Sequence, residues 1–369
     1  MKKRILSHVV LIFGLLIPVL GAAEPFSNIY VLGDSLSDQG NLYAATFPGV
    51  LPCPPTNPQC QALVQFNTGL PDKTYYYQGR FSNGPNYADI LAQRLDLTLT
   101  PSNSGGNNFA YGGARTNYNR VEDTAPRAVP GPFPGGARPW SLDLERQAFE
   151  ARNINDPDAL FVVWSGSNDI SDLLSAVATG RMTVSQAQAY MQTVVVPGIE
   201  NVIDAFLAAG AQDILVPNIP DLGKVPLVPA AVGSLATLLA SSYNGFLNTM
   251  LDTFAGVNII RADVFSLIDD VAANPTKYGF TNVTAGCYSG YVEPDVTGNA
   301  TVCSDPSTYA FWDGEHPTTA FHALLADRFY QAVVPEPPIL MNFLLGLGVL
   351  AAVGRTVRRH RPVKCVSVA

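Results

Sequence analysis

Ser35 and a histidine far from it in sequence are the residues of this chain whose types could carry nucleophilic chemistry. Ser35 stands in the stretch VLGDSLSDQGN, directly after an apolar segment. A serine hydroxyl becomes a nucleophile at neutral pH only beside a general base, and the chain has four histidines. His8 and His360 lie in the two terminal segments described below, which leaves His316 and His322 as candidate bases.

Both candidate bases lie in the segment FWDGEHPTTAFHALLADRF. This segment predicts a terminal helix with Pro317 in its first turn, His316 at its entrance and His322 inside it. We therefore interpret His322 as a structural or partly exposed side chain. Asp313 precedes His316 by three residues, a spacing that lets a carboxylate reach the imidazole, set its tautomer and stabilise its protonated form. Asp313 could instead be a cap or turn residue.

A second serine, Ser37, competes with Ser35 for the role of nucleophile. Its place two residues further along favours capping of the following turn, and Asp34 and Asp38 could do no more than shape that turn. The stretch lacks the Gly-x-Ser-x-Gly spacing of the nucleophile elbow. This argues against the α/β-hydrolase fold and for a nucleophile set beside the first strand.

Candidate donors to an oxyanion occur in two further stretches. Asn168, in WSGSNDI, follows a predicted strand, and its amide can donate a hydrogen bond where an aspartate could not. Asn168 or Asp169 could instead be the N-cap of the next helix. In NNFAYGGART, Gly112 or Gly113 could offer a backbone N–H that a substrate approaches closely. In the order Ser, Gly, Asn and Asp-x-x-His, these residues are the parts of a serine acyl-transfer site.

The elements that would position these residues alternate between strands and helices. Buried strands are predicted at 26–33, 161–166, 213–219 and 258–264. Helices are predicted at 85–95, 142–152, 185–210 (interrupted by Pro197), 233–254 and from about 317 onward. This alternation indicates an α/β fold with parallel strands. The candidate serine and asparagine would then lie at the carboxyl edge of the sheet, where ligands bind in such folds. The segments 42–80 and 115–138 are interpreted as long loops.

The first 23 residues have the pattern of a secretory signal peptide. MKKR is basic, an apolar run from Ile5 to Leu20 follows, and Gly21 and Ala23 provide small residues before a cleavage site. We expect signal peptidase to cut here and the protein to be exported. A permanent N-terminal anchor is the alternative, for which the apolar run is short.

Residues 334–369 form a second atypical end. This tail contains Pro-Glu-Pro, a mostly apolar run at 338–354 and then four arginines, which place that side in the cytoplasm. The order resembles the PEP-CTERM sorting signal of Gram-negative bacteria. The resemblance implies transient anchoring in the inner membrane, processing by an exosortase-like enzyme, and then display at the cell surface or secretion. A simple C-terminal anchor is the alternative.

The body between these ends, 24–333, is long enough for one large α/β domain. It keeps 14 of the 22 Lys and Arg and 29 of the 30 Asp and Glu, a net charge of −15, which argues against nucleic acid as a partner. Four of the five cysteines form two pairs that are close in sequence, and an exported chain meets an oxidising compartment. We therefore predict one disulfide between Cys53 and Cys60, one between Cys287 and Cys303, and no metal site at these cysteines.

Four stretches, GDSLSDQGN, NFAYGGA, GSND and DGEHP, resemble the four sequence blocks of the GDSL/SGNH hydrolases. The segments 79–92 and 216–226 are similar to the bacterial GDSL lipase/esterase branch, so the resemblance spans the body. It implies a flavodoxin-like three-layer α/β/α sandwich with a mostly parallel central sheet. It also implies a catalytic set of Ser35, Asp313 and His316. The implied oxyanion donors are the Ser35 amide, Asn168 and one of the pair Gly112 and Gly113, with Gly113 favoured.

The residues and the resemblance together predict an exported serine esterase or lipase that forms an acyl-enzyme on Ser35 and requires no metal or organic cofactor. The substrate could be a lipid, a short-chain ester or an acetylated glycan. The fit of the acyl chain is expected to depend on the loops 42–80 and 115–138. A carbohydrate O-acetylesterase acting on exopolysaccharide is the alternative among enzymes. A surface or exopolysaccharide-associated binding protein with a vestigial site is the alternative outside them.

Overall fold

The structure of the protein is a computed structural model that describes residues 26–48, 58–117 and 141–334. Its strands are β1 (Ile29–Gly33), β2 (Leu160–Trp164), β3 (Asp213–Pro217), β4 (Asn258–Ala262), β5 (Asn282–Gly286) and β6 (Tyr309–Phe311). Its helices are α1 (Asn41–Thr46), α2 (Pro58–Phe66), α3 (Tyr87–Arg94), α4 (Leu142–Glu150), α5 (Ser167–Ala178), α6 (Val184–Tyr190), α7 (Val196–Ala208), α8 (Ala230–Leu251), α9 (Val264–Ala273) and α10 (Thr319–Val333).

A parallel sheet with the order β1-β2-β3-β4 forms the centre of the fold. Residues 107–111 extend it on the outer side of β1, where the Phe109 N–H donates to the Val31 carbonyl at 2.7 Å. After β1 the chain first adds residues 107–111 on one side of this strand and then adds β2 on the other side. The strand order therefore reverses at the crevice between the carboxyl ends of β1 and β2, and such a point is the usual ligand site of open α/β sheets.

Helices cover both faces of this sheet, because its strands β1 and β2 are buried and apolar on both sides. On one face, Phe161 of β2 contacts Phe206 of α7, with ring centroids 5.1 Å apart. On the other face, Trp164 contacts Tyr87 of α3 at 5.2 Å and Phe329 of α10 at 5.4 Å. The prediction of a three-layer α/β/α fold with a parallel central sheet is confirmed.

The predicted helix 185–210 is confirmed in extent, but its interruption takes a particular form. α6 continues through a π-helical turn at Met191–Val195 directly into α7. Pro197 is the second residue of α7 and lies inside this continuous helical run, where its missing N–H removes one backbone hydrogen bond. The wider π-helical turn just before it accommodates the lost hydrogen bond without breaking the helix.

Two details of the predicted elements are wrong. The segment 42–80, interpreted as a loop, contains most of α1 and the whole of α2. The terminal helix α10 begins at Thr319 and not at Pro317, because the Thr318 hydroxyl accepts the N–H of Phe321 and caps the helix one residue beyond the proline. Pro317 precedes that cap.

Only one of the two predicted disulfides can be compared with the structure. Cys287 and Cys303 are bonded, as predicted. The pairing of Cys53 with Cys60 lies outside the described residues, as do the leader 1–23, the tail beyond 334 and nearly all of the loop 115–138. Among the helices that the structure describes, none combines the length and apolar character needed to cross a membrane.

Candidate active site

His316 joins Ser35 and Asp313, which lie far apart in the sequence, on either side of most of the described chain. Its Nε2 lies 3.0 Å from the Ser35 Oγ, and its Nδ1 lies 2.7 Å from Asp313 Oδ2. Asp313 is fully buried and His316 nearly so, whereas Ser35 is partly exposed. The hydroxyl is therefore accessible from outside while the groups behind it are shielded from water.

The turn after β1 presents Ser35. The Asp34 carboxylate accepts the N–H of Leu36, and the Asp34 carbonyl accepts the N–H of Ser37, which closes a tight turn around Ser35. At Gly33 a Cβ atom would lie 2.6 Å from the Trp164 carbonyl oxygen, so only glycine lets β1 approach β2 at this point.

Asp38 ties this turn to the segment that carries the two glycines. Its Oδ1 accepts the N–H groups of Gly40 and Asn41, and its Oδ2 accepts those of Leu42 and Gly112 at 3.1 and 2.8 Å. The Gly112 N–H is thus already engaged. The N–H of Gly113 meets no acceptor among the described residues.

Glu145, which the sequence analysis did not single out, makes a second link of this kind. Its two carboxylate oxygens accept the N–H of Gly33 at 2.9 Å and the N–H of Tyr111 at 3.1 Å. Burial raises the pKa of Glu145 well above its ordinary value. The residue holds the end of β1 and the glycine segment at a fixed separation.

Asn168 lies in the first turn of α5, and its Nδ2 donates to the Ala114 carbonyl at 3.1 Å. The helix begins at Ser167 with Gly166 as its N-cap residue, so the alternative of Asn168 or Asp169 as N-cap is wrong. Asp169 instead accepts hydrogen bonds from Thr116. The bond to Ala114 fixes the orientation of the Asn168 amide beside the glycine segment.

A sequence model of the family described as GDSL-like Lipase/Acylhydrolase matches residues 29–329, which include all of these side chains. The chain belongs to this family. A phosphatidylcholine-sterol acyltransferase of Aeromonas hydrophila is 25% identical over 361 residues, covering 86% of this chain and 94% of the relative. A GDSL esterase/lipase of Arabidopsis thaliana is 28% identical over 348 residues, covering 83% and 86%. A solved extracellular lipase from Streptomyces rimosus is 15% identical, with a TM-score of 0.40, covering 82% and 100%.

Membership in the GDSL family makes the chain an ester hydrolase, and the prediction of an enzyme that acts on carboxylic esters is confirmed. Within the described ranges, no group of three or more His, Cys, Asp or Glu side chains is arranged to hold a metal ion.

Tyr76 is a second residue of this candidate site that the sequence analysis did not single out. Its hydroxyl donates to Asp313 Oδ2, the oxygen that also faces His316 Nδ1. Asp313 Oδ1 accepts the N–H groups of Glu315 at 2.8 Å and His316 at 2.7 Å. Tyr76 lies 237 residues before Asp313 in a predicted loop, and no local pattern distinguishes it from its tyrosine neighbours.

Tyr76 is held in place by a buried aromatic cluster. Its ring packs edge-on against Tyr288 and Trp312, with centroids 5.8 and 6.4 Å away. Tyr288 directly follows Cys287 of the disulfide with Cys303. The disulfide therefore braces the cluster that places the tyrosine hydroxyl against Asp313.

Charges around His316 favour its protonated form. Burial opposes protonation, but the negative charge and hydrogen bond of Asp313, with further contributions from Glu315 and Asp34, outweigh it and raise the pKa of His316. For Asp313, burial opposes ionisation, but the charge of His316 and the hydrogen bonds from His316 and Tyr76 lower its pKa. Burial raises the pKa of Asp34 to about 6. The charges around the site therefore stabilise the protonated imidazole of His316.

Ser37 and His322, the alternatives to Ser35 and His316 in the sequence, both lie in the core. The Ser37 Oγ lies 2.7 Å from the Tyr87 hydroxyl in the core, so its interpretation as a turn cap is wrong. His322 is buried rather than partly exposed, and its Nδ1 accepts the Tyr87 N–H at 3.2 Å. Burial, together with the charge of His316, lowers the pKa of His322 to about 3 and keeps it neutral.

A cleft of about 500 Å³ opens at Ser35 and His316 and runs along α5. Its lining comes from the carboxyl ends of β1 and β2, from α5, from residues 220–232, and from α9, α10 and the segment before α10. No described residue of the segment 42–80 lines this cleft, and residues 49–57 lie outside the described residues, so the expectation that this segment shapes the fit of the acyl chain stays a prediction.

Proposed function

We propose that this GDSL family member is an exported serine hydrolase that cleaves carboxylic esters through an acyl-enzyme on Ser35. The observation that carries the proposal is the unbroken hydrogen-bonded line from Asp313 through His316 to the partly exposed Ser35 hydroxyl. A serine beside a base, with the base oriented by a carboxylate, is the general arrangement of an activated nucleophile.

In the first half-reaction, His316 Nε2 takes the proton of the Ser35 hydroxyl as its oxygen bonds to the ester carbonyl carbon. The carbonyl oxygen becomes an oxyanion. When the tetrahedral intermediate collapses, the bond to the alcohol oxygen breaks and His316 returns the proton to that oxygen. In the second half-reaction, His316 deprotonates a water that attacks the acyl group, and Ser35 leaves with the proton.

Three donors would stabilise the oxyanion: the Ser35 N–H, the Gly113 N–H and the Asn168 amide. Gly113 is preferred over Gly112 because the Gly112 N–H already donates to Asp38. Asn168 keeps one amide hydrogen for the substrate, since the contact with Ala114 uses the other. Donors fixed in advance cost no reorganisation when charge develops on the substrate.

Asp313 would hold the imidazole in the tautomer with Nδ1 protonated, which leaves Nε2 free to accept the serine proton. It would also stabilise the imidazolium that forms during both half-reactions. The raised pKa of His316 fits this role, because the carboxylate favours the protonated imidazole of the transition state.

Export is proposed from the leader 1–23 and the tail 334–369, with membrane retention until an exosortase-like enzyme processes the tail. The bonded pair Cys287 and Cys303 supports an oxidising compartment. Deletion of residues 335–369 is expected to move the enzyme from the membrane fraction to the soluble exported fraction. Unchanged membrane retention would count against an anchoring tail.

The test of the catalytic proposal is hydrolysis of p-nitrophenyl butyrate by the purified full chain, compared with its Ser35→Ala variant. Ser241→Ala, at an exposed serine of α8, is the matched control. We expect Ser35→Ala to lose essentially all activity while it unfolds at the wild-type temperature, and Ser241→Ala to remain active. Equal rates in Ser35→Ala and wild type would refute the proposal and favour a binding protein.

A further inference from the structure

The cleft at Ser35 has two walls of different chemistry. One wall is a face of α5, which contributes mostly small side chains: Ser167, Ser171, Leu174, Ser175, Ala178 and Thr179. The facing wall and floor are apolar, with Leu222, Val225, Val228, Val232, Ile268 and Leu325. The only carboxylates in the lining, Asp34 and Glu315, belong to residues that also act on the charge of His316.

The cleft is open because α5 carries small residues at helical spacing. Ser167, Ser171 and Ser175 are four residues apart, so they lie on one face of the helix, one above another. Larger side chains at these positions would close the gap toward the segment 220–232. The residual volume of about 500 Å³ lies within the roughly 300–1,000 Å³ typical of small-molecule sites.

We propose that this cleft is the acyl-chain channel of the enzyme and that it selects esters of aliphatic acyl groups much longer than acetyl. The inference rests on the proposed acyl-enzyme at Ser35. The channel begins at the Ser35 hydroxyl and follows α5, whose first turn carries the oxyanion donor Asn168. A chain bonded to Ser35 through its carbonyl carbon therefore enters the channel directly.

An unbranched hydrocarbon chain matches the lining, whereas an acetyl group leaves it unfilled. Each methylene removed from water by apolar walls contributes on the order of a three- to fourfold gain in affinity. We therefore expect kcat/KM to rise by about that factor per added methylene until the channel is full.

Positions along α5 can be related to the length of the bound acyl chain. One helical turn rises about 5.4 Å, so Ser171, which is exposed, and Ser175, which is half-buried, lie about one and two turns along α5 from Ser167. A phenylalanine turned toward the cleft at either position would obstruct the channel at that distance from Ser35. The nearer obstruction should exclude shorter acyl chains than the deeper one.

The experiment measures kcat/KM of the full chain on p-nitrophenyl esters from acetyl to palmitoyl, for the wild type, Ser171→Phe and Ser175→Phe. Ser241→Phe, at an exposed serine of α8 that does not line the cleft, is the matched control. We expect the wild type and the control to prefer chains well beyond acetyl. Both cleft variants should keep acetyl activity and lose long-chain activity, with the cut-off at shorter chains in Ser171→Phe than in Ser175→Phe.

A second series, acetate esters of alcohols of increasing length, shows which half of the ester the cleft holds. The channel assignment predicts that neither cleft variant alters this series. A cut-off that appears here would assign the cleft to the alcohol and overturn the proposal. Equal losses on acetyl and decanoyl esters, or a wild-type preference for acetyl, would overturn it as well.

The acyl-length series tests the channel, whereas Ser35→Ala tests the proposed function. If Ser35→Ala is inactive and the wild type hydrolyses short and long acyl esters equally well, the channel proposal is refuted and the serine mechanism stands. Hydrolysis that persists in Ser35→Ala refutes the mechanism itself, and the channel proposal with it.

Discussion

Replacing Tyr76 with phenylalanine removes one hydroxyl from the buried end of the proposed catalytic line and leaves the ring contacts with Tyr288 and Trp312. Asp313 then keeps three of its four described donors: His316 Nδ1 and the two N–H groups of Glu315 and His316. Because the lost hydroxyl shares Oδ2 with His316, negative charge concentrates on the oxygen that faces the imidazole. The pKa of His316 should therefore rise further above its ordinary value.

The size of this effect follows from the energy of a hydrogen bond to a charged group, about 1.5–3 kcal/mol. The Tyr76 hydroxyl remains bonded in both protonation states of His316, so only part of that energy, roughly a third to a half, appears in its pKa. This corresponds to an increase of about 0.4–1 unit. Since the base must be neutral to accept the Ser35 proton, the acid limb of kcat/KM against pH should move to higher pH by that amount.

The assay is kcat/KM from pH 5 to 10 for the wild type, Tyr76→Phe and the control Tyr75→Phe. Tyr75 also stacks on Tyr288, at 4.4 Å, but makes no described hydrogen bond to Asp313. We expect the wild-type limb above pH 6.5, a shifted limb in Tyr76→Phe only, and similar rates for all three on the alkaline plateau. A limb that stays in place or moves to lower pH in Tyr76→Phe would refute the reasoning.

Three further predictions concern neighbouring residues. Asn168→Ala should lower kcat by about 10²–10³-fold while the variant stays folded, measured by steady-state kinetics and calorimetry, with a modest drop in melting temperature from the lost bond to Ala114; a loss of kcat below fivefold contradicts its role as donor. Ser37→Ala should retain activity but lose about 1–3 kcal/mol of stability, because the Tyr87 hydroxyl loses its buried partner; inactivity of the folded variant would instead favour Ser37 as nucleophile. His322 stays neutral in the fold down to about pH 3 but protonates near 6.5 when unfolded, so stability is lost as pH falls through that window. His322→Gln should reduce this loss between pH 7 and 4.5 in urea unfolding, and an identical loss would contradict it.

Local patterns were sufficient to find most of the candidate site. Ser35 and Asn168 each follow an apolar strand, and the spacing of Asp313 and His316 lets one side chain reach the other within a single turn. Of the four histidines, two lie in the terminal segments, and the place of His322 inside the predicted helix favoured His316 as the base. The structure places His322 in the core. These inferences needed only the chain order and the fact that parallel strands end at one edge of the sheet.

Contacts between distant segments account for what the sequence left open or missed. The choice between Gly112 and Gly113 depends on Asp38, whose carboxylate engages the Gly112 N–H across 74 residues. Tyr76 and Glu145 act on backbone or side-chain groups more than 100 residues away. No periodicity within a segment encodes such partners.

The lining of the cleft at Ser35 was not found from the sequence for a related reason. The segments 42–80 and 115–138 attracted attention because they are long and rich in turn residues, yet the described wall of the cleft comes from α5 and from 220–232. The small residues of α5 are ordinary helix residues in sequence. Their importance lies in the space they leave opposite an apolar segment that is distant in the chain.

The measurement that tests the central claim most directly is covalent labelling of the purified full chain with an alkyl fluorophosphonate, followed by peptide mapping. The reagent forms a stable bond to an activated serine oxygen as fluoride leaves. The account predicts one label per chain, on Ser35, with activity lost in proportion and no labelling of Ser35→Ala. A label on Ser37 or any other residue, or full inhibition with Ser35 unmodified, would contradict it.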